Sequence, residues 1–538
     1  MMKCYQRSTQ HSFTDKQIKE WMSFGPKVFQ KPTNPEEITA LKERKEKVSA
    51  MKKRLANEFK ENDDTTKSNQ SKWSERGIEL ELDRLAAEEW AKQRNSDEST
   101  QELRPAYQLD NSHPDNIIDH RPVGGPLLEY LWSQEEPLHG QTLYLGGEEA
   151  ANGNIYCIPG HAPKVLVMDT QKKQIYPIGP ELRTNCSSPD TCNGRLYKWL
   201  RGIVIGDIIF GLPCHADDIL RIDTSTNEVT TIPIPYEELF PNDPEQAKEQ
   251  REMIWKYHGG NVCPLDDCIY AIPQRAHYVM KLDPKTETVS FVGPAFPGKC
   301  KWYGGILGKQ DGAIYGIPQN ASGVLRIDPE SVTIHGDFGT GNHKWHGGAA
   351  AANGVIVSVP ANSDNVLCVT PGKIPKLEII GDTETIQSGR HRDDGKYKYL
   401  GAMAGTNGRV YIFPCASEYV LQVDTVKMEA KNIGPNLRDS GMETVYQNKW
   451  QNGLTCVQDK CVYGISLSGH TLLRIDCSNN TGDVEDPDPE VTTWLLPSPR
   501  RDCRDKFEGG VMTKSGIMYT VPNNHKGVLR IEPACISN

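Results

Sequence analysis

The chain has 538 residues, of which 37% are hydrophobic and 25% charged, with a formal net charge of −10. This is the make-up of an ordinary globular protein with ample material for a core. No apolar run reaches the roughly 18 residues a membrane-spanning helix needs, and the acidic balance argues against nucleic acid as a partner.

The first residues, MMKCYQRSTQHSFTDKQIKEW, lack the apolar stretch of a secretory signal. An intracellular protein is therefore expected, the cytoplasm favoured and an organelle left open. Fifteen cysteines in such a chain read as free thiols rather than a disulfide framework. Cys263/Cys268 and Cys456/Cys461 share a C-x4-C spacing without a histidine or second pair at zinc-site distance, so they read as residues facing each other across hairpins.

Composition divides the chain into a charged helical extension (1–105), a linker with a closing strand (106–142) and a repeat domain (143–538). In the extension, Asn34-Pro35-Glu36-Glu37 carries a cap, a first-turn proline and early acids, which opens a helix running to about Phe59. Its apolar stripe is narrow: Ile38, Leu41, Val48, Leu55 and Phe59. Ile78, Leu82 and Leu85 mark a second helix. Neither stripe buries much alone; the stretch reads either as a solvated extension or as helices that dock onto a partner.

From about residue 143 the texture changes to Gly, Pro and short β-branched runs. KWYGGILGKQDGAIYGIPQNASGVLRIDPE, starting at Lys301, aligns with segments starting at Lys256 and Lys344, and the pattern recurs eight times. Its proline stands at Pro159, Pro213, Pro273, Pro318, Pro360, Pro414 and Pro522, with Ser466 in its place once. Ten residues later come Asp169, Asp223, Asp283, Asp328, Thr370, Asp424, Asp476 and Glu532. Each unit reads as short strands: an aromatic with Gly-Gly, then AIYGIP, then GVLRIDP closed by a turn, then a variable fourth. Four strands at a period of roughly 42 to 60 residues predict an all-β fold, a β-propeller of eight four-stranded blades with seven as the alternative. The last unit ends after its third strand, so either GPLLEYLW (125–132) or QTLYL (141–145) must supply its outer strand.

These units resemble kelch-type propellers in their Gly-Gly, aromatic and RIDP elements over residues 143–533, although kelch repeats carry the double glycine at the end of the second strand rather than before it. The resemblance implies a ring used as a scaffold, an adaptor or, in a few cases, an oxidase.

Two constellations recur. An aromatic opens every unit: Tyr144, Trp199, Tyr257, Trp302, Trp345, Tyr399, Trp450 and Phe507. A lysine precedes seven of them: Lys198, Lys256, Lys301, Lys344, Lys398, Lys449 and Lys506. Wedging of the aromatics between blades, with lysine stems lying on rings, is the expected structural use; an anion-binding ring is the functional one. Strand alternation places these lysines toward one face, together with His161, His215, Arg275, Asn320, Asn362 and Asn524, which stand two residues past the proline. The insertions starting at Pro241, Thr383 and Asn479 are expected there too, and a rigid ring builds recognition on such loops.

No carboxylate recurs beside the two histidines. A Walker loop, GxSxG, HExxH and a dinucleotide fingerprint are all missing from the sequence. The sequence thus predicts a non-enzymatic protein-binding or scaffold subunit without cofactor or metal, with those thirteen residues on its binding face. A hydrolase, lyase or oxidoreductase with a site at the channel mouth is the alternative.

Overall fold

The computed structural model describes residues 16–17, 19–20, 43, 46–55, 82, 125–133, 137–183, 196–389, 396–478, 487–497, 501 and 503–533. Eight antiparallel four-stranded sheets follow one another along the chain. Their innermost strands are Tyr144–Glu149, Trp199–Ile205, Tyr257–Val262, Trp302–Leu307, Trp345–Ala350, Tyr399–Ala404, Trp450–Cys456 and Phe507–Met512. Each touches the next, and the eighth touches the first, so they close around a channel. We number the blades one to eight in that order.

The repeat anchors mark the strand ends. Every innermost strand begins at the aromatic residue, and every second strand ends at the proline position. The two stand opposite each other, as in Tyr144 with Pro159 and Trp302 with Pro318. The aromatics are buried and packed between blades, as the sequence suggested: Trp199 of blade two lies in one core cluster with Tyr156, Ile158 and Val165 of blade one. Tryptophan also ties its own blade together, since the indole N–H of Trp199, Trp302, Trp345 and Trp450 donates to a carbonyl at the start of the third strand at 2.8–2.9 Å. Burying these rings is the main local source of stability.

The glycine pair has a steric cause. Ladder register shifts at this point in all eight innermost strands. At Gly259 (φ +91°) a Cβ would stand 1.6 Å from the carbonyl oxygen of Gly304 in the next blade. At this position of blade three only glycine lets the two bulged strands come this close.

The ring is sealed by a strand from far upstream. Leu127–Trp132 pairs antiparallel with Gly527–Glu532 and supplies the outer strand of blade eight, with Leu128 opposite Ile531 and Trp132 opposite Gly527. Of the two candidate segments, 125–132 takes the role. The hairpin cysteines sit as their spacing suggested: Cys456 is directly opposite Cys461, and the N–H of Cys263 donates to the carbonyl of Cys268 at 2.8 Å, all four as free thiols.

One expectation is corrected. The insertion beginning at Asn479 lies between the third strand Thr471–Asp476 and the fourth strand Glu490–Leu495 of blade seven. Strand alternation therefore opens it on the face opposite the other insertions. Those others lie between blades: the helix Pro244–Glu252, capped by the Asp243 side chain on Gln246 N–H at 3.0 Å, and the short helix Thr383–Ile386. In the N-terminal stretch, Glu46 to Leu55 are helical and Val48, Met51, Leu55 and Leu82 are buried. The remainder of the two expected helices lies outside the described residues.

Candidate functional site

Two concentric layers of polar side chains surround the channel on the face bearing those two helices. The outer layer consists of the repeated residues, and it fastens blade to blade. Six of the seven lysines are at most 4% exposed; Lys344 is half-buried. Their ammonium groups bond to main-chain carbonyls of the preceding blade and the loop leaving it. Lys198 donates to Gly160 and Ala162 at 2.9 and 2.8 Å, Lys256 to Ala216 at 2.7 Å, and Lys301 to Gln274, Ala276 and Gly298 at 3.0–3.2 Å. Lys344 reaches Ala321 at 2.9 Å, Lys398 reaches Asn362 at 3.1 Å, Lys449 reaches Ser417 at 2.6 Å and Lys506 reaches Ser468 at 3.0 Å.

Stem-on-ring contact is a minor part of this, with Lys198 6.0 Å above Trp199 and Lys256 5.8 Å above Tyr236. Burial pushes Lys301 down to about 7 and Lys449 down to about 8. The carbonyl oxygens around each nitrogen work against that by favouring the charged form.

Each lysine follows a residue in the left-handed region. Thr142, Tyr197, Trp255, Cys300, His343, Tyr397, Asn448 and Asp505 have φ of 47–54°, the first of them preceding Leu143 where the lysine is missing. In all eight blades this residue's carbonyl accepts the N–H of the residue two past the proline, at 2.7–3.3 Å. That position then reaches the following blade. Asn320, Asn362 and Asn524 accept, through Oδ1, the N–H of His343, Tyr397 and Thr142 at 2.8–2.9 Å.

In the first two blades an imidazole takes the place of the amide. His161 meets Tyr197 edge-on at 4.3 Å, and His215 meets Trp255 edge-on at 4.9 Å. His215 is 2% exposed, both of its ring nitrogens lack a partner, and burial beside Lys256 and Arg275 holds it neutral. Arg275 holds the same position in blade three, bonded through its main-chain N–H to Trp255. No cluster of three or more metal-ligating groups occurs among the described residues.

The inner layer is made of residues that break the repeat, and sequence reasoning passed over it. The second residue of the innermost strand is Leu145, Leu200 or Leu400 in three blades, but His258, Tyr303, His346, Gln451 and Glu508 in the others. Because these strands start at the loop-bearing face, the polar residues line the channel mouth on that side. Tyr303 is sandwiched between His258 and His346, with ring centroids 3.5 and 3.7 Å away. His346 donates its Nδ1 proton to the Leu400 carbonyl at 2.9 Å, which leaves Nε2 as an acceptor.

The third residue is glycine in six blades, Asn452 in one and Arg201 in blade two. Glu148 lies one step deeper, against Gly202, where a Cβ would come within 2.8 Å of its Cγ. Burial raises the Glu148 and Glu508 carboxyls to about 7 even though Arg201 pulls both down. Burial, the neighbouring His346 and then Arg201 hold His258 well below its usual value, and burial takes His346 to about 4. Burial also keeps the Tyr303 phenol protonated. The mouth therefore offers one fixed cation, two carboxyls near their titration point, neutral imidazoles and a phenol. The signal that could have found it was departure from the repeat rather than agreement with it.

No known protein family and no curated protein matches this sequence. Among solved structures, the chain is similar to virginiamycin B lyase from Staphylococcus aureus, at 10% identity over 76% of this chain and 99% of that one, with a TM-score of 0.42. It is similar to the RRP9 WD40 repeats at 10% identity, 78% and 99% coverage and a TM-score of 0.40. The same values hold for YCF48 bound to D1 peptide. The eight-bladed ring itself rests on the strand pairing described above.

Proposed function

We propose that the ring is a non-enzymatic recognition subunit, a rigid scaffold that engages a partner protein with its loop-bearing face and admits part of that partner to the channel mouth around Arg201. The observation that supports this is the contrast between the layers. Polar residues shared by the blades are bonded blade to blade, whereas those that differ converge at one end of one channel with hydrogen-bonding capacity unused. Fastening requires sameness; recognition requires difference. Kinship with kelch-type rings, an intracellular setting and docking of the N-terminal helical stretch on a larger assembly belong to the same reading.

One observation favours a second reading, an enzyme of the hydrolase, lyase or oxidoreductase kind at the same mouth. Glu148 and Glu508, raised to about 7, lie in the range where a carboxyl exchanges protons at neutral pH.

The test is cross-linking of the protein with its partners in its native source, followed by mapping of the linked lysines. The proposal expects links at Lys248 in the helix Pro244–Glu252 and at Lys299, both on the loop-bearing side. Links confined to Lys172, Lys285 and Lys427 would place the partner on the other face, where Leu265, Ile374, Val426 and Val457 stand exposed, and would sink the reading.

A further inference from the structure

We propose that Arg201 is the anchor of an oxyanion site in the channel mouth, one that takes a carboxylate or phosphate group carried by the partner or by a small ligand. This rests on the recognition reading above and gives it a chemistry.

Arg201 is held at φ +69°, in the left-handed region. The corresponding Gly259, Gly304, Gly347 and Gly509 also have positive φ, between 67° and 119°. Six blades carry glycine at this position, four of them in the left-handed region, while Gly146, Gly401 and Asn452 are not. A side chain with a Cβ is strained here.

Among the described residues the Arg201 guanidinium makes no hydrogen bond and no ion pair. Glu148 and Glu508 influence it electrostatically but lie beyond ion-pair distance. Contrast Arg326, which is buried and paired with both Asp311 and Asp328. Arg326 is held by two carboxylates, whereas the Arg201 guanidinium, like that of Arg275, is left open.

The surroundings select the ligand. A guanidinium presents a planar fork of donors that matches carboxylate or phosphate in two parallel bonds. The Tyr303 phenol remains protonated and adds a donor, and its ring is fixed by His258 and His346. Glu508 accepts only a long bond from the Asn523 amide, at 3.5 Å, so its carboxyl is available to share a proton with an incoming oxyanion. The groups facing Arg201 are thus two carboxyls that can hold protons, two neutral imidazoles and a phenol. Any of these admits an anion more readily than a fixed negative charge would.

Arg201→Gly provides the test, because it installs the residue that six other blades already carry. Melting curves of wild type and variant are recorded in chloride, inorganic phosphate, acetate and succinate at matched ionic strength. The expected result has three parts. In chloride the variant melts at or above wild type, since strain is relieved. Phosphate or a carboxylate raises the wild-type melting temperature by a few degrees over chloride. The variant does not respond. Whichever oxyanion acts identifies the source.

A variant that melts well below wild type in chloride would make Arg201 a brace for its glutamates and overturn the inference. Equal responses of wild type and variant to every oxyanion would do the same. Should cross-links then still map to the loop-bearing face, only the oxyanion chemistry falls. An oxyanion response with cross-links on the opposite face would leave the site standing and remove the partner reading instead.

Discussion

Replacing Lys301 by methionine isolates the fastening that joins consecutive blades. Methionine keeps an apolar stem of similar reach and removes the ammonium with its bonds to Gln274, Ala276 and Gly298, at 3.2, 3.0 and 3.2 Å. These bonds are long for a charged donor, so each is taken at about 1 kcal/mol net, or roughly 3 kcal/mol together. Relief of the ammonium's desolvation returns some of this, which leaves an expected loss of about 2 kcal/mol.

Lys285, exposed and paired only with Asp267 at 3.2 Å, serves as control; Lys285→Met should change stability by less than about 0.5 kcal/mol. Denaturant unfolding at pH 7, with equal slopes, reads both. The pH dependence follows with its sign. Burial works to depress Lys301 in the folded ring and its three carbonyl acceptors work to raise it, so the folded value lies below the ordinary value of about 10.4 in the unfolded chain, but by less than burial alone would give. Between those values the unfolded chain binds more protons, so wild type gains stability as pH rises, and the methionine variant lacks that gain. A Lys301→Met protein indistinguishable from wild type, or no more affected than the Lys285 control, would refute the fastening argument.

The remaining predictions concern closure, the thiols and the channel carboxyls. Removing residues 1–124 should leave the ring folded, whereas removing 1–136 takes away Leu127–Trp132, bares the Gly527–Glu532 edge and should cause aggregation; identical melting of the two truncations contradicts the seam. Among the described cysteines, Cys300 and Cys503 are the partly exposed ones and should be alkylated first in native protein. Cys263, Cys268, Cys456 and Cys461 should react only on unfolding, because burial raises their thiols, Cys456 to about 11. Isolation of either hairpin pair as a disulfide from freshly quenched cells would contradict the intracellular expectation. Glu148 and Glu508, raised to about 7, make the folded ring hold more protons than the unfolded chain between about pH 4.5 and 7. Stability should fall as pH rises through that window, by about 1–3 kcal/mol for the pair once channel water is allowed for. Glu148→Gln combined with Glu508→Gln should flatten the profile; an unchanged slope would show the carboxyls to be ordinary.

The parts of this structure that were legible in the sequence are those in which a unit satisfies itself. Tyr144 opposite Pro159, and its equivalents in the other blades, recur in fixed register because both ends of the contact lie in one repeat. What crosses between units left weaker traces. The lysines were visible, but their acceptors are mainly main-chain carbonyls of the preceding blade, which no side chain announces, Asp364 on Lys398 being the exception. The left-handed residue before each lysine is a Tyr, Trp, Cys, His, Tyr, Asn or Asp, a set with no common chemistry, since loop geometry imposes the conformation. The insertion after Asn479 was assigned to the wrong face because its length hid the fourth strand Glu490–Leu495 that follows it. Arg201 stood in plain sight as the charged exception in a glycine column, and its meaning emerged only when the neighbouring strands placed His258, Tyr303, His346 and Glu508 around the same opening.

The seam has a consequence for biosynthesis. Trp132 leaves the ribosome 395 residues before its ladder partner Gly527, the difference between 527 and 132. At typical elongation speeds of about 5–20 residues per second, the interval is roughly 20–80 s. Blades one to seven can each form as their own four strands emerge, so the nascent chain is an open arc for most of its synthesis, bearing an early strand with no place to go. Closure is the last event and the one with the greatest loop to span. A cell making this protein must therefore shield Leu127–Trp132 until translation is almost finished, and a chain that stalls in its final blade would be left with two raw edges instead of a ring.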